Sequence, residues 1–349
     1  MKVALHTGQL AQPVPGGIGR YVEGLLHHLP DGGVEVVAFG GGRWRYETWH
    51  RFRWPVAAAG TGADVVHAPS LAVPPPGRIP LAVTVHDLAF RSHPDCFPPR
   101  GRAFHERGLR LAREEAAAVV VPSRFTAAEL EAAGFEPARV HIVPHGIAAP
   151  PDPGPEERAA RLGRFGLSPG GYLLFIGTIE PRKGLDVLLE AHAAIHAARP
   201  DVLLVVAGPR GWGTAIELDR PGVLAPGRVD EGDLDALYRG AAALAVPSRS
   251  EGFGLPALEA MVRGCPVVAS AAGALPEVVG DAGVLVAPGD ADALAGALDS
   301  MLGDEEERAR RAEAGRRRAA GFTWAACVEG HRNAYRAAAL AVPARRRGA

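Results

Sequence analysis

Eleven short apolar runs, five to seven residues long, recur along the chain with helical patterns between several of them. In the first half they are KVALH (Lys2–His6), VEVVAF (Val34–Phe39), DVVHA (Asp64–Ala68), LAVTVH (Leu81–His86), AVVVP (Ala118–Pro122) and VHIVP (Val140–Pro144). In the second they are YLLFIG (Tyr172–Gly177), LLVVAG (Leu203–Gly208), AALAVPS (Ala242–Ser248), PVVAS (Pro266–Ser270) and GVLVAP (Gly283–Pro288). Successive residues of a strand point to opposite faces, so a near-continuous apolar run needs cover on both. Such runs alternating with helices specify parallel sheets sandwiched between helical layers. Ile18, Tyr21, Val22, Leu25, Leu26 and Leu29 fall at helical spacing between the first two runs.

The alternation is broken once. AAPPDPG (Ala148–Gly154) is proline-rich and poor in large apolar side chains, and SPGG follows at Ser168–Gly171. These stretches read as a linker. The chain of 349 residues is long enough for two domains. The expected fold is therefore α/β, with two Rossmann-like doubly wound domains facing a central cleft. Their expected extents are residues 1–150 and 172–325, joined by a linker at 151–171. Residues 326–349 read as a terminal helix that crosses back to the first domain, followed by a frayed tail. In doubly wound sheets ligands bind beyond the carboxyl ends of the strands, so the residues that follow each strand carry the functional reading.

Composition excludes several classes. The net charge of −1 provides no global field to attract nucleic acid. The three cysteines, Cys96, Cys265 and Cys327, are far apart and lack metal-binding spacing, as suits a reducing cytosol. MKVALHTGQL lacks the apolar core of a secretory leader. No apolar run reaches the ~18 residues of a membrane span. A cytoplasmic protein is expected, with contact at the inner membrane face left open. Of the 38 basic residues only Lys2 and Lys183 are lysine, leaving 38 − 2 = 36 arginines. A lysine that persists in so arginine-biased a chain is a candidate for specific chemistry.

Lys183 lies in EPRKG (Glu180–Gly184), after the YLLFIG strand and before a helix expected from about Leu185. Two cations beside the free amides and positive end of a helix form an anion site. A cation ~4 Å from a phosphate oxygen gains about 4 kcal/mol at an effective dielectric near 20. A solvated basic turn is the alternative. There is no Walker A loop. After AALAVPS comes EGFGLPALE (Glu251–Glu259). Pro256 suits the first turn of a helix, Gly252 and Gly254 allow close backbone approach, and amides around Gly254–Leu255 make a second anion site. Glu251 precedes the helix and Glu259 lies about one turn in, so they can grip different parts of one long ligand. Glu259 is alternatively a partner of the helix dipole.

EGFGLPALE resembles the E-x7-E motif of retaining GT-B glycosyltransferases of the family-4 type. GGIGRYVEGLL (Gly16–Leu26), VHDLAF (Val85–Phe90), VPSRFTAAEL (Val121–Leu130), FIGTIEPRKGL (Phe175–Leu185), GPRGW (Gly208–Trp212), ALYRGAAALAVPS (Ala236–Ser248) and GALPEVVGDAGVLVAPGD (Gly273–Asp290) resemble family segments in order and spacing. The resemblance implies that Arg182 and Lys183 hold the donor diphosphate, Glu251 the donor sugar's hydroxyls and Glu259 the ribose. It also implies that the amides of Phe253, Gly254 and Leu255 reach sugar and phosphate, and that backbone near Arg228–Val229 meets the base. Gly17 would approach the donor phosphates and His86 would face the reacting sugar. No cofactor or metal is expected, because Arg182 and Lys183 supply the positive charge and no DxD-like motif is evident. The implied partners are a nucleotide-sugar donor and a carbohydrate, lipid-linked or small-molecule acceptor, without nucleic acid.

VHDL and GPRGW look most like mannosyltransferase members that use GDP-mannose. The chain departs from the family at Arg249-Ser250, where a Tyr or Leu pair is common, and at HGIA (His145–Ala148), where NGVD is typical. The stretch after Trp212 is also short, which puts base specificity in doubt. RWRYETWHRFRW (Arg43–Trp54), with three of the five tryptophans, is either an interfacial patch for lipid-linked acceptors or a packed helix. Arg100, Arg102, Arg107, Arg110 and Arg113 carry the same ambiguity. A nucleotide-sugar epimerase would need acids not seen here. A dehydrogenase would need the third glycine that GGIGRY lacks. A non-catalytic nucleotide-sugar-binding protein or partner subunit remains the rival.

Overall fold

The computed structural model describes residues 1–12, 16–40, 61–213 and 216–341. Arg43–Trp54 and the basic tail lie outside the described residues. The chain divides into two compact units. One comprises Met1–Pro94, Pro99–Gly146 and the C-terminal stretch from Thr323; the other comprises Asp95–Pro98 and Ile147–Phe322.

The first unit holds a six-stranded parallel sheet in the order β2-β1-β3-β4-β5-β6. The strands are β1 (Lys2–His6), β2 (Glu35–Phe39), β3 (Val65–Ala68), β4 (Leu81–Thr84), β5 (Ala116–Val121) and β6 (Val140–Ile142). The Gly16–His28 helix buries Tyr21, Val22 and Leu25, and the last helix, Trp324–Leu340, packs against β5 and buries Cys327, Val328, His331, Ala334, Tyr335 and Ala338. Together they close the core on this side of the sheet.

A polar chain crosses that core, and one carbonyl fixes its direction. His331 Nδ1 is 2.8 Å from the Cys327 carbonyl, so Nδ1 carries the proton. Nε2 of the neutral ring must then accept from Tyr21, 2.6 Å away. Having donated to His331, the Tyr21 hydroxyl accepts from Thr84 at 2.8 Å. Thr84 in turn accepts from His67 Nε2 at 2.8 Å, and His67 Nδ1 accepts from Tyr335 at 2.8 Å. Burial holds His67 well below the ordinary histidine value and His331 at about 4, which keeps both rings neutral. Every member is satisfied, as a buried polar network requires.

The second unit holds a six-stranded parallel sheet in the order β12-β11-β10-β7-β8-β9. Its strands are β7 (Tyr172–Ile176), β8 (Leu203–Ala207), β9 (Val223–Gly227), β10 (Ala243–Val246), β11 (Val267–Ser270) and β12 (Val284–Val286). The period of two is visible in its packing. Leu174, Val205, Leu244 and Ala269 enter one core, while Leu173, Phe175, Leu204, Val206, Ala245 and Val268 enter the other. Fully burying a large apolar side chain contributes about 1.5–3 kcal/mol. Residues 151–171, which composition reads as a linker, contain a helix at Pro155–Gly163 that buries Leu162.

The order of this sheet places its functional loops. From β7 the chain steps outward through β8 to β9, then returns to lay β10 on the other side of β7. The loops after β7 and β10 therefore leave adjacent strands and diverge, which makes the β7/β10 boundary the topological switch point where doubly wound sheets bind ligands.

Candidate active site

Both sequence-derived motifs of the second unit emerge at this switch point. The chain leaves β7 and forms a 3-10 turn, Pro181–Lys183, before the Leu185–Ala198 helix. Gly184 joins the two with φ +64°, and a Cβ there would lie 2.1 Å from the Pro247 carbonyl oxygen. Only glycine permits this pinning of the Arg182-Lys183 turn against the β10 loop. From the other side, Gly273 (φ +59°) presses on the main chain of Glu251, whose carbonyl accepts the Ala274 amide at 2.8 Å.

The site's charges are packed together. Lys183 Nζ donates to Glu251 Oε1 at 2.6 Å, and Arg182 Nη1 donates to Glu251 Oε2 at 3.2 Å and to the Ser250 carbonyl at 2.8 Å. Arg182 Nη2 donates to Glu180 Oε1 at 2.8 Å. Ser248 Oγ donates to Glu251 Oε1 at 2.7 Å, and the Ser270 hydroxyl in turn donates to the Ser248 carbonyl. Two cations and two buried carboxylates give a net charge of 2 − 2 = 0. Burial pushes the Glu251 carboxyl up, but Lys183, Arg182 and the hydrogen bonds from Lys183 and Ser248 outweigh it and hold it at about 2. Glu251 is thus a permanent acceptor at neutral pH and no proton donor. Its three bonds leave acceptor capacity for a further hydroxyl, since a carboxylate offers about four lone-pair sites.

The Leu255–Val262 helix starts beside this cluster, with Gly254 as N-cap at φ +100° and no side-chain cap. The first turn's amides thus lack intrahelical partners at its positive end. Phe253 is buried and stands T-shaped to Phe322 at 5.8 Å, so its ring belongs to the core. Glu259 is buried in the same helix, and Tyr238 donates to its Oε2 at 2.8 Å. Arg263 lies over the Tyr238 ring at 5.1 Å, donates to the Glu259 carbonyl at 3.0 Å and pairs with Asp235 at 2.8 Å. Val229 follows β9 and is half-buried against the core.

Two of the sequence-derived residues lie in the first unit. Gly17 is exposed in the first turn of its helix. His86 follows β4; its Nε2 faces the Pro69 carbonyl at 2.8 Å and so donates. Burial lowers the pKa of the ring, opposed by the Pro69 bond and by Asp87. The neutral ring therefore keeps its lone pair on Nδ1. Tyr21 stands edge-on to His86 at 5.1 Å, and His145 lies 5.3 Å away, centroid to centroid.

Sequence reasoning did not single out Ser248, Glu180, Tyr238 or Gly273. Ser248 and Glu180 carried a usable signal, since each lies in a strand-terminal loop within three positions of an assigned residue. Tyr238 and Gly273 act through neighbours in space. Among the described residues no three His, Cys, Asp or Glu side chains converge as a metal site, and no helix is long and apolar enough to cross a membrane.

The family description "Glycosyl transferases group 1" matches residues 168–318, and "Glycosyltransferase Family 4" matches residues 15–149. The O-antigen chain mannosyltransferase B of Escherichia coli is 34% identical over 284 residues, covering 78% of this chain and 74% of that protein. The D-inositol 3-phosphate glycosyltransferase of Salinispora arenicola is 36% identical over 287 residues, which cover 72% of this chain and 62%, less than two thirds, of that protein's length. Among solved structures, Anabaena HepE in complex with UDP and glucose superposes with a TM-score of 0.76 at 18% identity, covering 95% of this chain and 98% of its own. Sucrose-phosphate synthase from Thermosynechococcus elongatus does so with a TM-score of 0.75 at 24% identity, covering 96% and 98%. With two six-stranded parallel sheets and both family segments in order, the chain belongs to the group 1, family 4 glycosyltransferases of the GT-B fold.

Proposed function

We propose that the chain transfers a hexose, with retention and without a metal ion, from a nucleoside-diphosphate sugar to a hydroxyl acceptor, and that the donor is GDP-mannose. The observation that carries this reading is the grouping of Arg182, Lys183 and Glu251 at the β7/β10 switch point. The name of the Escherichia coli relative supports mannose. Negative charge grows on the leaving diphosphate as the glycosyl–phosphate bond breaks. Preorganised cations and helix-start amides bind that charge more strongly in the transition state than in the ground state, which lowers the barrier. Glu251 accepts from sugar hydroxyls, Glu259 from the ribose, and His86 faces the reacting sugar. The leaving phosphate oxygen takes the proton of the acceptor hydroxyl, so no separate base is required. The acceptor is a carbohydrate, a lipid-linked or a small-molecule hydroxyl compound.

The test is a panel of nucleotide sugars assayed for thermal stabilisation and for slow hydrolysis in the presence of EDTA. One donor, GDP-mannose, is expected to raise the melting temperature and to be hydrolysed. Stabilisation without turnover, with every acceptor tried, would instead establish a non-catalytic nucleotide-sugar-binding protein. Turnover abolished by EDTA and restored by a divalent ion would remove the metal-independent step.

A further inference from the structure

The Arg124–Ala132 helix turns two polar side chains, Thr126 and Glu129, toward one short stretch of main chain, His86–Leu88. With Ser123 at the N-cap they are spaced by three and therefore on one face. Ser123 Oγ donates to Thr126 Oγ1 at 3.0 Å, and Thr126 sends its own proton to the His86 carbonyl at 3.2 Å. Thr126 is fully buried. The Glu129 carboxyl lies close enough to the Leu88 amide for that amide to draw its pKa down, while its Oε2 is buried and makes no hydrogen bond. Burial pushes this carboxyl up to about 7, the Leu88 amide draws it down and Asp87 raises it. A buried carboxyl oxygen without a partner costs free energy.

We propose that Thr126 and Glu129 are positioning residues of the transfer reaction. Thr126 fixes the peptide carbonyl of His86 and Glu129 sits beside the Leu88 amide, while Pro69 fixes the other end of the His86 ring through Nε2. The loop is thereby held at both ends, and the direction in which His86 presents Nδ1 is set. This inference rests on the assignment of His86 to the reacting sugar.

The experiment is steady-state turnover of GDP-mannose by the full chain and by Thr126→Val, Thr126→Ser, Glu129→Ala, Glu129→Gln and His86→Ala. Thr126→Val and Glu129→Ala are expected to lower kcat about 10- to 100-fold, the scale of a small misplacement near the reacting centre, with the donor KM unchanged. Thr126→Ser, which keeps the hydroxyl, and Glu129→Gln, which keeps a polar acceptor of the same size beside the Leu88 amide, should recover most of kcat. Equal losses in Thr126→Val and Thr126→Ser would show that the hydroxyl is not the agent and overturn the proposal. So would wild-type kcat in Thr126→Val and Glu129→Ala while His86→Ala is inactive, leaving the function of the chain untouched. Wild-type turnover in His86→Ala, or no turnover of any nucleotide sugar by the parent chain, would remove the underlying reading and this inference with it.

Discussion

Lys183 Nζ and Glu251 Oε1 lie 2.6 Å apart although 68 residues separate them in sequence, because their loops leave the adjacent parallel strands β7 and β10. A diphosphate entering this site competes with Glu251 for the same cations, and a sugar hydroxyl can take the carboxylate's remaining lone pair. Lys183→Ala and Glu251→Gln are each expected to lower kcat/KM by roughly 10² or more, the range for a preorganised electrostatic group. Lys183→Ala should also raise the donor KM, since the phosphate is charged before as well as during the reaction. Steady-state kinetics with the preferred donor decide, and wild-type values in either variant would cancel that residue's assigned role.

Gly184→Ala isolates the geometry of the turn from its charges. A Cβ would meet the Pro247 carbonyl at 2.1 Å on a backbone of φ +64°. Strain at such a position costs about 1–3 kcal/mol, and relief requires the Arg182-Lys183 turn to move off the β10 loop. Loss of stability and weaker donor binding are expected together. Gly163→Ala, at the end of the Pro155–Gly163 helix with nothing within 4 Å of the new methyl, should be neutral or stabilising by up to about 1 kcal/mol. Urea unfolding of both variants, with donor titration, makes the comparison. A Gly184→Ala variant as stable as the parent would refute the close approach.

The parts of the molecule legible in the sequence are those with local causes. Continuous apolar runs such as LLVVA announce strands because both faces need cover. Arg182, Lys183 and Glu251 could be found because each lies past such a run, within two positions of a glycine. β9 could not: VLAPG is an edge strand, only half-buried, and contains proline and glycine. The Pro155–Gly163 helix buries only Leu162, too little to make a period. The ion pairing of Glu251 depends on β10 lying beside β7, and strand order is not a local property. The Tyr21–His331 and His67–Tyr335 bonds span 310 and 268 residues, so nothing near any of these residues announces them.

Tyr238→Phe tests how Glu259 is held. The tyrosine hydroxyl donates to Glu259 Oε2, while Arg263 fixes the ring from above and the Glu259 carbonyl from the side. Removing the hydroxyl alone should leave the ring in place and take one hydrogen bond from the carboxylate. A lost hydrogen bond of this kind costs about 1 kcal/mol, equivalent to a donor Kd raised about fivefold. Isothermal titration with the nucleoside diphosphate measures it. An unchanged Kd would show that Tyr238 serves packing only.

The buried histidines make the first unit acid-sensitive. His6 and His331 titrate at about 4 in the fold, and His67 and His145 lie well below their ordinary value, all four chiefly because burial disfavours the charged ring. The unfolded chain binds a proton at each near 6.5. Between pH 6.5 and 4 the unfolded state therefore holds more protons, and stability falls as pH falls. The contribution is fully present above about 6.5 and exhausted near 4 for His6 and His331. At pH 5 each of these two rings should cost about 2 kcal/mol relative to pH 7. Glu129 opposes this trend: its carboxyl at about 7 favours the fold below the ordinary carboxylate range and loses that advantage as pH rises through 7. One half-buried carboxyl does not offset four buried rings, so urea midpoints should drop steadily from pH 7 to pH 5. His331→Gln can still donate to the Cys327 carbonyl and accept from Tyr21 but cannot titrate. It should flatten that drop by about one histidine's share, and a pH profile identical to the parent's would mean that protonation of His331 does not limit the stability of the unit.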